Sequence, residues 1–174
     1  MRYASIKKCD VANGTGIRVS IFVSGCHHHC KGCFNTDAWD FTFGEEYTDE
    51  VEEKILASLD RDYVQGLTLI GGEPLEYVNQ KGLVSLVKKA KEKFPQKTIW
   101  CYTGYKFDDD VMNDMMKKWP ETEEIVSNLD IVVDGKYDDD LRDLNLRFKG
   151  SSNQRIIDVK KTLDSGTVIL AENV

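Results

Sequence analysis

The stretch that decides the fold is Ile17-Arg18-Val19-Ser20-Ile21-Phe22-Val23-Ser24-Gly25. Apolar and polar residues alternate over its first half, the second half is apolar, and the run stops at Ser24-Gly25. Alternation with a period of two predicts a β-strand, and a glycine directly after it predicts a sharp turn. We therefore expect a strand over Ile17–Val23 that ends in a tight loop.

Three later segments repeat this form, since each is an apolar run followed by a polar turn that contains glycine. They are residues 66–70 before Gly71-Gly72, residues 98–102 before Thr103-Gly104, and residues 129–133 before Asp134-Gly135. Residues 167–170 form a further candidate strand. The chain therefore contains four strands of one type and a fifth candidate.

Apolar residues recur at helical spacing between these strands, in residues 51–59, 83–94 and 111–119. Thr48 precedes the first of these helices, and Pro95 and Pro120 mark the ends of the other two. Strands that alternate with helices of this length predict parallel βαβ units.

Right-handed crossovers between such units give either an open, doubly wound α/β sheet or a partial, incomplete parallel β/α barrel. A chain of 174 residues corresponds to a single domain, residues 1–174. The carboxyl ends of parallel strands lie on one face of a sheet, where binding sites are built. We therefore expect the site where the four glycine-containing turns meet.

The charge of the chain bears on its partners and its compartment. Thirty acidic residues against 23 Lys and Arg give a net charge of -7, opposite in sign to that of a typical nucleic-acid binder. No apolar run approaches the roughly 18 residues of a membrane span, and no signal-peptide core follows the first residues. We expect a cytoplasmic protein without nucleic-acid or membrane partners, whose five cysteines do not form disulfides.

Three of the cysteines form a C-x3-C-x2-C array in Ser24-Gly25-Cys26-His27-His28-His29-Cys30-Lys31-Gly32-Cys33-Phe34-Asn35. Thiolates are soft ligands that select zinc, copper(I) or iron–sulfur clusters. Three thiolates can hold three irons of a cubane cluster and leave the fourth iron open to a substrate or cofactor. Zinc held by these cysteines and one of the three histidines is also consistent with the spacing, as are core cysteines without any ligand role.

A second element, Gly71-Gly72-Glu73-Pro74, ends the next strand. Two glycines let a ligand approach the backbone closely, and their N–H groups can bind a carboxylate. Such a tetrapeptide is often only a turn. Its position one strand after the cysteine array makes the two elements together more informative than either alone.

With these segments the chain resembles the radical S-adenosylmethionine (SAM) superfamily, and more closely the activating proteins of anaerobic (class III) ribonucleoside-triphosphate reductases. The resemblance covers about residues 8–155 and is carried by the collinear segments 10–18, 22–35, 67–75, 99–106, 133–137 and 150–155. Gly32 stands where the superfamily usually has an aromatic residue, as it does in the reductase activators. Glu73 stands where those activators often carry Asp.

The resemblance implies that Cys26, Cys30 and Cys33 hold a [4Fe-4S] cluster whose open iron chelates SAM. It implies that one electron cleaves SAM to methionine and a 5′-deoxyadenosyl radical, which takes a hydrogen atom from a backbone glycine of the reductase. Chemistry of this kind uses no side-chain acid or base. No catalytic residue is therefore expected, because the cluster and SAM carry the reaction.

The resemblance also implies which residues contact SAM. Gly71 and Gly72 would offer backbone groups to its methionine end, and Glu73 would engage its ammonium. Thr103 and Asp134 would contact the ribose or the methionine, although Asp134 can also be interpreted as an acid that caps its turn.

At the adenine end, Phe34 would offer a ring and the backbone of Gly32 and Cys33 would bind the base. The three histidines are interpreted as partly exposed fillers of their loop, and Cys9 and Cys101 as buried small apolar residues. The tail after Arg155 carries no informative pattern.

The implied partners are the large catalytic subunit of the anaerobic reductase and a flavodoxin- or ferredoxin-type electron donor. The shortness of the chain implies an incomplete barrel with an open side for the large partner. The alternatives are an activating enzyme of another glycyl radical enzyme, a radical SAM enzyme with a small substrate, and a non-catalytic zinc-binding interaction module. Iron with acid-labile sulfide after anaerobic purification would favour the radical enzymes, and zinc without iron would favour the module.

Overall fold

The structure is a computed structural model that describes residues 1–172 and Val174. Its strands are β1 (Arg2–Asp10), β2 (Ile17–Val23), β3 (Glu45–Glu46), β4 (Val64–Gly71), β5 (Thr98–Tyr102), β6 (Ile131–Asp134) and β7 (Arg155–Asp158). They form one seven-stranded sheet in the order β3-β1-β2-β4-β5-β6-β7. The sheet is not closed, because β3 and β7 stand at its opposite ends.

The α-helices are α1 (Asp49–Leu59), α2 (Tyr77–Lys93), α3 (Met116–Lys118), α4 (Pro120–Asn128) and α5 (Val159–Ser165). A π-helical segment spans Phe107–Met115, and short 3-10 helices span Thr36–Trp39 and Asp139–Leu141. Among the helices that the structure describes, none has the length and apolarity that a bilayer crossing requires.

The central strands β2, β4, β5 and β6 are parallel, as the alternation of strands and helices predicts. β1 and β7 were not predicted, and each runs antiparallel to its neighbour, so the fold is mixed α/β. Residues 167–170 do not form the predicted strand, because only a single bridge joins Leu170 to Ile157. The partly parallel, open sheet is compatible with an incomplete barrel.

The two faces of the sheet have different surroundings, because successive side chains along a strand point to opposite faces. One set, which includes Val19, Leu67 and Ile99, packs against the apolar sides of α1, α2 and α4 in the main core. The alternate set includes Ser20, Thr68 and Trp100, which are buried outside that core. The site lies on this second face.

Arg18 is fully buried on the second face and ties the strands together near their amino ends. It donates from Nε to Thr68 Oγ1 at 2.7 Å, and its remaining N–H groups bond to Thr15, Leu67 and Thr98. Burial lowers the pKa of Arg18 to about 10. Since all of its N–H donors are engaged by the protein, the Arg18 guanidinium has a structural role: it connects β2, β4 and β5.

The helix boundaries follow local chemistry. Thr48 caps α1 as predicted, because its Oγ1 accepts a hydrogen bond from the backbone N–H of Val51 at 3.4 Å. Pro120 does end the preceding helical stretch, but it also occupies the first turn of α4, where its missing N–H is not needed. A proline at this position marks the start of one helix as well as the end of another, which is why α4 was not predicted from the sequence.

Candidate functional site

A cavity of about 380 Å³ lies where the four glycine-containing turns meet, at the carboxyl ends of the parallel strands. Eight of the ten residues predicted from the sequence line it: Cys26, Cys30, Cys33, Phe34, Gly71, Gly72, Glu73 and Thr103. Gly32 and Asp134 are not among its lining residues. The cysteine array and the double-glycine turn therefore share one pocket, as their positions on adjacent strands predicted.

The segment of residues 24–35, here called the cluster loop, brings its three cysteines to this cavity. Cys26 is 8% exposed, and burial raises its pKa to about 11, opposed by the hydrogen bond that His28 N–H donates to its Sγ at 3.4 Å. Burial also raises the pKa of Cys30. Because cysteine binds a metal as its thiolate, binding of a metal or cluster by these residues would release protons.

The donor chemistry of the cluster loop fits an iron–sulfur cluster. Among the described residues, no group of three His, Cys, Asp or Glu side chains is close enough to hold a single metal ion. In a cubane, each thiolate binds a different iron, so the three sulfur atoms need a shared cavity rather than one common point. Cys26, Cys30 and Cys33 provide such a cavity.

Residues 71–74, here called the cofactor turn, pack backbone against backbone on the cluster loop. Gly72 N–H donates to Val23 O at 2.7 Å, and Glu73 N–H donates to Gly25 O at 2.9 Å. A Cβ on Gly72 would lie 2.6 Å from Gly25 O and 2.8 Å from Ala38 O. Glycine is therefore required here for the loop-to-turn contact as well as for any approach of a ligand.

The Glu73 carboxylate is 1% exposed, and four polar groups lie within hydrogen-bond distance of it. Oε1 accepts from Leu75 N–H and Thr103 Oγ1, both at 2.8 Å. Oε2 accepts from Gly104 N–H at 2.7 Å and lies 2.9 Å from Nε2 of His28. These partners occupy about four acceptor positions, all that a carboxylate offers, so an ammonium could bind Glu73 only by displacing one of them.

Phe34 is 89% exposed at the edge of the cavity, where its ring is available to a planar ligand. Gly32 has a φ of +75° and lies against the side chain of Asp139, outside the cavity lining. A residue with a Cβ would be strained at this position and would also collide with Asp139.

Asp134 is held away from the cavity by its partners. It is 1% exposed, and its carboxylate accepts hydrogen bonds from Arg155 and from the backbone N–H of Phe107. Its neighbour Gly135 lines the cavity instead. The Asp134 carboxylate bonds to the start of the π-helical segment and to β7, so these contacts correspond neither to a cofactor contact nor to a cap of its own turn.

The three histidines differ from one another. The side chain of His27 is 73% exposed, with Nδ1 2.9 Å from Glu76 Oε1, and the exposed ring of His29 stacks on Trp39 at 4.6 Å. The side chain of His28 is only 8% exposed. The interpretation as exposed loop fillers therefore suits two of the histidines, whereas His28 is packed inside the site.

The two cysteines outside the array also differ. Cys101 is fully buried on the helix-covered face, and burial raises its pKa well above the usual value. Cys9 is exposed rather than buried, because it lies on β1, whose outer residues face solvent.

Much of the cavity wall was not predicted from the sequence. Besides His28, Ile70, Gly104 and Gly135, the further lining residues come from the loop before β2, from Trp39 and Tyr102, and from the segment between β6 and β7: Ala12, Asn13, Trp39, Tyr102, Tyr137, Leu146, Phe148, Lys149, Gly150 and Gln154. Several fall in the collinear segments that carry the resemblance, which was the available indication. Tyr102 Oη is buried without a hydrogen-bond partner among the described residues, so a polar group in the cavity could satisfy it.

Comparison with known proteins gives consistent results. Residues 12–157 match the family model described as a 4Fe-4S single cluster domain. The chain is 40% identical to the anaerobic ribonucleoside-triphosphate reductase-activating protein of Enterobacteria phage T4, over 90% of this chain and 93% of that protein. It is 40% identical to the protein of the same name from Salmonella typhimurium, over 88% and 96% of the two chains. The Vibrio cholerae protein is 37% identical over 90% and 97%.

Proposed function

This chain belongs to the family of anaerobic ribonucleoside-triphosphate reductase-activating proteins, and on that premise we propose that it uses SAM to generate a glycyl radical on such a reductase. It is an activating enzyme with a 4Fe-4S single cluster domain. The proposal adds the second cofactor, the radical product and the roles of individual residues.

Cys26, Cys30 and Cys33 would hold the cluster in the cavity. When bound, a [4Fe-4S] cluster with one open iron supplies the electron that splits SAM into methionine and the radical that abstracts a hydrogen atom from a reductase glycine. The residues around it need only bind, orient and enclose the reactants. This agrees with a cavity whose walls are mostly backbone, thiols and aromatic rings.

The cofactor turn would bind the methionine end of SAM through the backbone of Gly71 and Gly72. Glu73 and Thr103 lie beside that position, and Glu73 would accept the ammonium in exchange for one of its present donors. We assign Asp134 to holding the turn after β6, since its carboxylate is engaged by Arg155.

The adenine end would lie toward Phe34 and the backbone of Gly32 and Cys33. Phe34 already lines the cavity edge with an exposed ring, which favours stacking on the base. Gly32 has no side chain, which lets the cluster loop lie close to Asp139. The peptide groups of Gly32 and Cys33 would form the hydrogen bonds to the adenine.

The chain as a whole would act as one domain in the cytoplasm, with an incomplete barrel whose open side admits the large reductase subunit. A flavodoxin- or ferredoxin-type protein would deliver the electron. The open sheet supports access of the reductase to the cavity, because a closed barrel would leave less room for a polypeptide segment there.

The observation that carries the proposal is the meeting of three cysteines and the Gly71-Gly72 turn around one cavity. The test is anaerobic reduction of the cluster-loaded protein with SAM and a reductase that bears a C-terminal glycine motif. We expect 5′-deoxyadenosine, methionine and an organic radical on the reductase, seen by electron paramagnetic resonance. SAM cleavage without a radical on the reductase would overturn the assignment of the reductase as the partner. Binding of stoichiometric zinc in place of iron would overturn the assignment of an iron–sulfur cluster to the three cysteines.

A further inference from the structure

We propose that His28 is a positioning residue that fastens the cluster loop to the cofactor turn through Glu73, and so sets the cysteine-bound metal at a fixed distance from SAM. The inference rests on the proposed function and deepens it. It assigns a role to a histidine that the cysteine pattern itself does not require.

The first observation is the link between His28 and Glu73, which lie 45 positions apart in the chain. Nε2 of His28 lies 2.9 Å from Oε2 of Glu73, and the two side chains are 8% and 1% exposed. Three other groups already donate to this carboxylate, so we assign the proton of the contact to Nε2, which then donates to Oε2. A charge-assisted hydrogen bond with so little water around it is stronger than one at the surface.

The second observation is that the backbone of His28 contacts a proposed metal ligand. Its N–H donates to Sγ of Cys26 at 3.4 Å. A single residue therefore bonds to a cysteine of the array through its main chain and to the cofactor turn through its ring. Hydrogen bonds to cysteine sulfur tune the potential of an iron–sulfur cluster, and groups behind the ligands orient them.

The third observation is that the receiving end of the link is rigid. The same Glu73 carboxylate is held by Leu75 N–H, Thr103 Oγ1 and Gly104 N–H. A Cβ on Gly104 would collide with the His28 ring. The Tyr105 ring also meets the imidazole edge to face, with centroids 4.5 Å apart. The turn after β5 therefore forms a fitted slot for this histidine.

His29 provides the matched control. It lies in the same loop between Cys26 and Cys30, but its exposed ring stacks on Trp39 instead of reaching Glu73. The substitution His29→Ala removes as many atoms from the loop as His28→Ala does, but it leaves the contact between His28 and Glu73 in place.

The experiment compares His28→Ala, His28→Gln and His29→Ala in the full chain after anaerobic reconstitution with iron and sulfide. Three quantities are measured: iron per chain, the reduction potential of the cluster without SAM, and the Kd for SAM from the change in the paramagnetic resonance signal. We expect His28→Ala to keep its iron, to shift the potential, and to raise the Kd about tenfold or more. His28→Gln, whose amide can donate to Glu73 from a similar distance, should recover most of both losses, and His29→Ala should match the unaltered protein.

Two results would overturn the proposal. One is a His28→Ala protein whose potential and Kd equal those of His29→Ala. The other is loss of iron from both His28 variants while His29→Ala keeps it, since that would make His28 a ligand. If the unaltered protein binds no SAM, the proposed function fails, and the potential still decides the role of His28. If His28→Ala does not fold, His28→Asn, whose amide is too short to reach Glu73, replaces it in the comparison with His28→Gln.

Discussion

Arg155 donates a hydrogen bond from Nε to Oδ1 of Asp134 over 3.0 Å, which joins the first residue of β7 to the last residue of β6. The guanidinium also reaches Asp108 Oδ1 at 2.8 Å. Because Asp134 is 1% exposed, its charge requires a partner in the fold. The pair connects the ends of β6 and β7 beside the cavity. It also explains why Asp134, which was predicted to contact SAM, does not line the cavity.

Replacement of Arg155 by Met should destabilise the fold by about 2 kcal/mol, since it leaves the buried Asp134 carboxylate with a single backbone donor. The measurement is urea unfolding of the metal-free chain at pH 7. The control is Lys160→Met, which removes an exposed partner of Asp130 and should cost about 0.5 kcal/mol or less. Equal losses in the two variants would contradict the importance of the Arg155 pair.

Asp108 should make stability depend on pH in the acid range, because Arg155 lowers the pKa of its carboxyl to about 2. A depressed pKa stabilises the folded state above the unfolded value of about 3.9, and that contribution is lost as the pH falls toward 2. The side chain is 40% exposed, so the contribution is about 1 kcal/mol after screening.

The variant Asp108→Asn should therefore be less stable than the unaltered chain at pH 7, and the difference should shrink by pH 3. Asp109→Asn, which alters a neighbouring and more exposed carboxylate, should show a smaller effect. A difference for Asp108→Asn that stays constant between the two pH values would exclude this ionisation as the cause.

Each of Cys26→Ala, Cys30→Ala and Cys33→Ala should abolish binding of the cluster, because no other described cysteine lines the cavity. Iron and acid-labile sulfide per chain are the readout. Cys101→Ala should keep its iron and lose about 1 kcal/mol of stability from the small void that it leaves in the core. Cys9→Ala should leave both properties unchanged, and a cluster that survives the loss of Cys30 would refute the ligand set.

Gly72→Ala should weaken SAM binding and also loosen the cluster loop, since the new Cβ meets the carbonyl oxygens of Gly25 and Ala38. Backbone atoms at these distances cannot give way cheaply. Gly82→Ala is the control, because its Cβ meets only the flexible Met1 side chain and alanine favours the helix. Calorimetric titration with SAM and thermal unfolding separate the two effects, and unaltered values for Gly72→Ala would show that the turn can move.

The central part of the fold could be predicted because its signals are local. The strands β2, β4, β5 and β6 are apolar runs that end in glycine-containing turns. The start of α1 follows from the preference for threonine at the N-cap position, which Thr48 occupies. β1 was missed because only two of its nine residues, Tyr3 and Asp10, are buried, which leaves no clean apolar period. β7 was missed because its two apolar residues, Ile156 and Ile157, lie between charged residues and no glycine turn follows them.

The site was predictable as far as its motifs extend. Cysteine spacing and a double-glycine turn can be read along the chain, and both line the cavity. The His28–Glu73 contact joins residues far apart in sequence, and the saturation of the Glu73 carboxylate depends on Thr103 and Gly104 in a third turn. Such contacts arise only from tertiary packing, which no local pattern encodes.

The open sheet has a consequence for self-association. Unpaired strand edges are templates for pairing with other chains, and proteins protect them by shortening, charging or covering them. At one end, β3 is only Glu45–Glu46, both exposed and negatively charged. At the other end, the last part of the chain covers β7, with Asp158 N–H donating to Ile169 O and Ala171 N–H donating to Ile156 O, both at 2.9 Å. The fold thus leaves its cavity accessible while neither sheet border invites the edge-to-edge pairing that leads to aggregation.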